Sequence, residues 1–244
     1  HVKDIIVTDT SSAIASALTT LAGESKVTAI TQKGEISPLA ITAAELVSNL
    51  DGLNKITGGY TVAVSGATAT EAVSYASNGK VKSVAILDST ANVASKLDAL
   101  KDLGLRIKEI RTSDTTAMAV TAEQVKNDAL VLGKIYSSYQ LAVANATSLD
   151  VNALSTNKKV VSVDIVDTGA NVIKNLALYK KLGTDLNSIQ ITDDTTPVSI
   201  TADQWALNES IVSKFKTGYT LAVVDASAGQ VQSLMANDKV ASVS

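Results

Sequence analysis

The sequence predicts an α/β fold made of tandem two-layer repeats of about 79 residues, each ordered β-α-β-β-α-β-α and stacked as an elongated array. Three observations predict it. Tyr60, Tyr139 and Tyr219 head the near-copies YTVAVSGAT, YQLAVANAT and YTLAVVDAS, at intervals of 79 and 80 residues. The pairs Asp9-Thr10, Asp88-Ser89 and Asp167-Thr168 keep the same register, as do Thr42-Ala43, Thr121-Ala122 and Thr201-Ala202. Each period also switches between the two-residue rhythm of a strand and the wider spacing of a helix, which is the pattern of an α/β unit.

The elements follow in order. VKSVAILD alternates as a strand. STANVASKLDALKDLG then places Val93, Leu97 and Leu100 on one helical face, with Gly104 as its C-cap. Ile14, Leu18 and Leu21 repeat that face, and so do Val172, Leu176 and Tyr179. LRIKEIRT and AMAVT read as two strands joined by a Ser-Asp-Thr-Thr hairpin turn, where the third repeat carries Asp193-Asp194 and Pro197. That turn is also the easiest place to absorb the third repeat's one-residue insertion. ITAAE, VTAEQ and ITADQ each set Thr at an N-cap and Glu or Gln three residues on, a capping box. Ile41, Val120 and Ile200 before the cap face Leu46, Val125 and Trp205 after it as hydrophobic staples, which makes Trp205 a core residue. Gly58-Gly59 stops the first of these helices, and each repeated tyrosine starts a strand with its ring over the end of the core. A shorter helix opens at Thr68, Thr147 or Ser227, with Glu71, Asp150 or Gln230 three residues on.

Aligning the periods places repeats at 1–79, 80–158 and 159–238, with 239–244 as the first strand of a fourth. The chain starts and stops in mid-pattern, so a fragment of a longer array is expected. No Pro-, Gly- or Ser-rich linker separates the periods, and abutting units are expected in turn. The 45% of hydrophobic residues can fill cores, and with only 3% aromatics those cores are aliphatic. The net charge of −3, with Lys and Arg scattered, lacks the concentrated basic face that nucleic-acid binding requires. No apolar run reaches the length of a membrane span.

The chemistry open to this chain is narrow. It has no Cys, and its one histidine is His1, where the later periods carry Lys80, Lys159 and Lys239, so it cannot belong to a repeated site. Ser-His-Asp and Cys-His catalysis and His-rich metal sites are thereby excluded, and an enzyme is not expected. Asp9, Asp88 and Asp167 are the repeated acids. Each either caps the following helix through its first N–H groups or supplies an oxygen to a calcium ion. The acids that would support calcium, Asp4 and Asp164, are not repeated in the second period, where Ala85 stands.

The elements DT-x-A-N-V, LDAL, ITA-x-Q and GYTLAV, spread over the whole chain, resemble tandem repeats of large secreted surface proteins of Gram-negative bacteria. These are of the type I-secreted adhesin, haemagglutinin-like exoprotein or surface-layer kind. The resemblance implies an extracellular place at the bacterial cell surface, a structural or adhesive role and calcium dependence. It carries over no functional residue. The expected function is a non-catalytic stalk, filament or surface-array building block, with neighbouring repeats, copies of itself or cell-surface glycans as partners. The alternative is a multivalent binding module with one weak sugar, ion or haem-like site per repeat.

Overall fold

Short apolar strands in register along the chain pair in parallel throughout the described residues. The computed structural model describes residues 2–193, 197–216 and 219–244. The chain divides into two compact units, one of His1–Thr116 with Asp128–Tyr139, the other of Ala117–Asn127 with Gln140–Ser244. Each unit is therefore discontinuous in sequence.

The first unit begins with β1 (Ile5–Asp9), α1 (Ser11–Gly23), β2 (Val27–Gln32), β3 (Leu39–Thr42), α2 (Ala43–Ser48), α3 (Leu50–Asn54) and β4 (Ile56–Thr57). There follow β5 (Val62–Ala67), α4 (Ala69–Ser74), β6 (Val81–Asp88), α5 (Thr90–Ser95), α6 (Leu97–Leu100), a 3-10 stretch over Lys101–Arg106 and β7 (Ile107–Thr112). Its strands form two sheets, ordered β1-β2-β4 and β3-β5-β6-β7. Residues 117–127 supply β8 (Met118–Thr121) and α7 (Ala122–Asn127) to the second unit. The chain then returns as α8 (Ala129–Leu132), and Ile135 bridges in parallel to Ile110 of β7.

The second unit continues with β9 (Leu141–Ala146), α9 (Val151–Thr156), β10 (Val160–Asp167), α10 (Gly169–Lys174), α11 (Leu176–Tyr179), a 3-10 stretch over Lys180–Asp185 and β11 (Leu186–Ile191). It ends with β12 (Val198–Thr201), α12 (Ala202–Leu207), α13 (Glu209–Val212), β13 (Leu221–Val224), α14 (Ala228–Met235) and β14 (Val240–Val243). Its sheets run β8-β9-β10-β11, with Phe215 bridging to Ile189, and β12-β13-β14. The segment KVASVS thus completes the sheet of the preceding strands, as β14 pairs with β13.

The element order within a period matches the expected one, with the short β4 added. The expected hairpin does not form. In the first unit β2 pairs with β1 while β3 pairs with β5, so the two strands either side of the turn lie in different sheets. The cause is geometric: parallel neighbours in one sheet need a crossover of a dozen or more residues, and the β2–β3 link is far shorter. The strands of one sequence period are therefore divided between two sheets, which corrects the expectation that each period forms its own two-layer unit. The only two prolines, Pro38 and Pro197, directly precede β3 and β12, the edge strands of their sheets, where a missing N–H is harmless.

Within β3-β5-β6-β7 the strands adjoin in the order β5, β6, β7 along the chain. Right-handed crossovers then place α4 and α5–α6 on the same face. Leu39, Val62, Val81, Val84, Ile86, Ile107 and Ile110 of the strands and Ala69, Ala72, Val93, Leu97 and Leu100 of the helices are all buried. Each fully buried aliphatic side chain of this kind contributes about 1.5–3 kcal/mol. The small Ala69 and Ala72 let α4 sit close to the sheet.

The long helix expected up to Gly104 is broken. It stops at Ser95, resumes over Leu97–Leu100 and tightens to 3-10 geometry, with Gly104 at φ 50°. In the third repeat Asn175 marks the same break and donates its side chain to the carbonyl of Asn171 at 2.8 Å, competing with the helix backbone. In α1, where Ala17 stands at this position, the helix runs unbroken. Gly58 and Gly59, at φ 80° and 84°, follow β4 rather than a helix and carry the chain back to β5.

Candidate functional site

The repeated acids stand at the carboxyl ends of β1, β6 and β10, where the following loops leave the sheets. They do not cap in the expected way. The N-caps are Thr10, Ser89 and Thr168, whose side chains accept from the backbone N–H of Ala13, Asn92 and Asn171. Asp88 instead accepts from three donors: Ala69 N–H at 2.9 Å, Ser89 N–H at 2.8 Å and the Asn92 side chain at 2.7 Å. Asp167 takes Ser148 N–H at 3.0 Å, Ser148 Oγ at 2.5 Å, Thr168 N–H at 2.8 Å and the Asn171 side chain at 2.7 Å. Each carboxylate thus ties the loop leaving its own strand to the first turn after the strand beside it. Among the described residues Asp9 accepts only from Thr10 N–H, at 2.8 Å, with Lys33 Nζ 4.0 Å away.

Burial opposes ionisation of Asp88 and Asp167, but the hydrogen bonds outweigh it and hold both carboxyls below the usual range. Two further acids, both in the segment the sequence reads as a hairpin turn, do similar work. Asp114 accepts from Thr90 Oγ1 at 2.6 Å and Thr90 N–H at 3.0 Å, and these bonds, the side-chain one first, lower its pKa. Asp193 accepts from Gly169 N–H at 2.6 Å. The signal was present: the two lie 79 residues apart, in the segment read as a hairpin turn. Asp193 keeps the 79-residue offset and Val198 stands 80 after Met118, so the added residue falls within 194–197. Asp194 and His1 lie outside the described residues.

A calcium ion fits this arrangement poorly. The oxygens of Asp88 and Asp167 face N–H and O–H donors, which a cation would have to displace. Of the proposed supporting acids, Asp164 takes hydrogen bonds from Asn187, at 2.8 Å, and Ser188. Among the described residues no three His, Asp or Glu side chains gather as a metal-binding group.

Asp167 also lines a cleft of about 510 Å³ at the carboxyl ends of β9 and β10, with Ser148, Asn152, Asn171 and Lys174. Its polar walls are already engaged. Asn152 accepts from Lys181 Nζ at 2.8 Å, and Asn171 and Ser148 are bound to Asp167. Tyr179 is wholly buried, and burial pushes its hydroxyl up to about 12. The equivalents of Ser148 and Asn152 one period earlier are Ala69 and Val73, so this cleft is not a repeated site. Comparison with protein-family models gives no match, and no curated protein matches the chain. Among the described residues no helix is long and apolar enough to cross a membrane.

The capping boxes stand where expected. Thr42 and Glu45, Thr68 and Glu71, and Thr201 and Gln204 bond reciprocally, and Thr121 does so with Gln124. At Thr147 the helix opens later, from Asp150, which accepts the Thr147 N–H at 2.8 Å. Leu46 is buried as a staple, whereas Trp205 is only half-buried. The tyrosines precede their strands by two residues. Lys80 Nζ sits 4.2 Å from the Tyr60 ring centre and Lys239 Nζ 5.5 Å from that of Tyr219.

One buried charge stands out. Asp128, fully buried at the start of α8, has Lys101 Nζ at 2.8 Å, and this contact is the main reason the lysine's pKa is raised. The other repeats place Asn49 and Asn208 here, which donate to Thr19 Oγ1 at 3.1 Å and to the Gln204 carbonyl at 2.8 Å. Lys101 reaches solvent, so neutralising Asp128 leaves no stranded charge. Asp128→Asn is expected to raise stability by about 1 kcal/mol, read from the urea midpoint. A loss of that size instead would show that the ion pair holds α8 in place.

Proposed function

We propose that this chain is a non-catalytic segment of an extracellular structural or adhesive array at a bacterial cell surface: a stalk, filament or lattice block. One observation carries the reading. Each sequence period contributes strands to two sheets, so consecutive periods are laced together instead of strung as beads. In the first unit the chain leaves the β1-β2-β4 sheet for β3, returns through α3 to β4 and leaves again for β5. A pull along the chain must break several strand pairings at once, which suits a load-bearing spacer. The acids that repeat are bound to main-chain amides rather than turned to a substrate, which favours a structural role over catalysis.

The partners in this reading are neighbouring repeats or further copies of the chain, with cell-surface glycans as what an adhesive array would meet. In this reading the repeats stack as an elongated array without calcium. Small-angle X-ray scattering with calcium and then with chelator is expected to give the same extended particle. A compact particle in both conditions would overturn the array, and extension with calcium alone would return Asp9, Asp88 and Asp167 to the role of ligands.

A further inference from the structure

The strands β6, β10 and β14 are all entered through one kind of turn. Asn78, Asn157 and Asn237 each accept, at Oδ1, the backbone N–H two residues on, that of Lys80, Lys159 and Lys239, at 3.0, 3.1 and 3.0 Å. This is the Asx turn that asparagine favours. The residue between differs: Gly79 in the first, Lys158 in the second, Asp238 in the third. Residues 77–80 are all exposed. No atom outside residues 78–80 lies within 4 Å of where a Gly79 Cβ would stand, and among the described residues no hydrogen bond holds the Gly79 N–H.

We propose that Asn78 is a self-modification site, at which the folded chain converts its own asparagine to aspartate and isoaspartate. Solvent base removes the Gly79 amide proton, and that nitrogen attacks Asn78 Cγ. A C–N bond forms, the Cγ–Nδ2 bond breaks, and the amide nitrogen takes up a proton and leaves as ammonia. Water then opens the five-membered imide at either carbonyl. One opening restores the main chain with an aspartate side chain. The other routes the main chain through the β-carbon as isoaspartate.

Three features favour reaction at this turn. Glycine lacks the Cβ that would hinder its nitrogen from reaching Cγ. The Lys80 N–H already bonded to Oδ1 polarises the carbonyl and stabilises the oxyanion that forms during attack. The Arg106 guanidinium donates to the carbonyls of Tyr75, Ala76 and Asn78, at 3.2 Å for Tyr75 and 3.4 Å for Asn78, which steadies the turn around the reacting pair. Isoaspartate would add a main-chain bond just before β6, which lies between β5 and β7, and so loosen this sheet as the molecule ages.

The turns at Asn157 and Asn237 are built-in controls. The folded chain and its Gly79→Lys variant, which copies Lys158, are incubated between pH 7 and 9, and peptides are mapped by mass and elution. The expected result is loss of the amide at Asn78 alone, as two products, faster at higher pH and absent in the variant. Retention of the Asn78 amide for as long as those of Asn157 and Asn237 would overturn the proposal. So would equal conversion in Gly79→Lys, or conversion seen only after the chain is unfolded in denaturant.

Discussion

Asp167→Ala is expected to lower unfolding stability by about 3 kcal/mol, with the loss read from urea denaturation. The carboxylate accepts four hydrogen bonds and is nearly buried, so its removal strands the Ser148 and Thr168 amides and the side chains of Ser148 and Asn171. Asp167→Asn rescues little, because one face of the amide would present a donor to the Ser148 N–H. Asp88→Ala, with three donors lost, should cost about 2 kcal/mol. Asp9→Ala should cost less than about 1 kcal/mol, since an exposed contact to Lys33 at 4.0 Å adds little to its single amide bond. Equal effects at the three positions would contradict this account of what the acids do.

The same carboxylates set a pH dependence. The folded pKa values of Asp88, Asp114 and Asp167 lie below their ordinary values. The unfolded chain therefore binds protons more readily than the fold does. Their stabilisation is complete above the unfolded pKa, near about 4, and is lost as pH falls through the lower folded values. Urea midpoints should hold steady from neutrality to mildly acidic pH and then drop. Asp167→Ala should flatten part of that drop.

Local signals in the sequence were strong because they are local. Thr42 with Glu45 and Thr201 with Gln204 mark helix starts through contacts spanning three residues, and the structure places caps there. The parallel pairing of β3 with β5 and of β1 with β2 depends on partners far along the chain, and alternation reads the same in a hairpin as in a crossover. Pro38 and Pro197 precede edge strands, yet nothing near them in the sequence says which sheet those strands border. At the candidate site, the repetition of Asp9, Asp88 and Asp167 was legible. Their partners were not, since Ala69 and Ser148 each lie 19 residues before the acid they bind. Asp114 was passed over because a turn explained it without a partner.

The central claim is that neighbouring sequence periods share sheets, and two fragments test it. Residues 80–158 form one complete sequence period. They hold β6 and β7 without β3 and β5, and β8 and β9 without β10 and β11. This fragment carries only parts of two sheets and should be unfolded by circular dichroism and amide exchange. Residues 39–136 hold β3, β5, β6, β7 and the Ile135 bridge, all the pairings of one sheet. That fragment should fold and unfold cooperatively. A stable 80–158 beside an unfolded 39–136 would mean that each period is a self-contained bead, and the laced array would have to be abandoned.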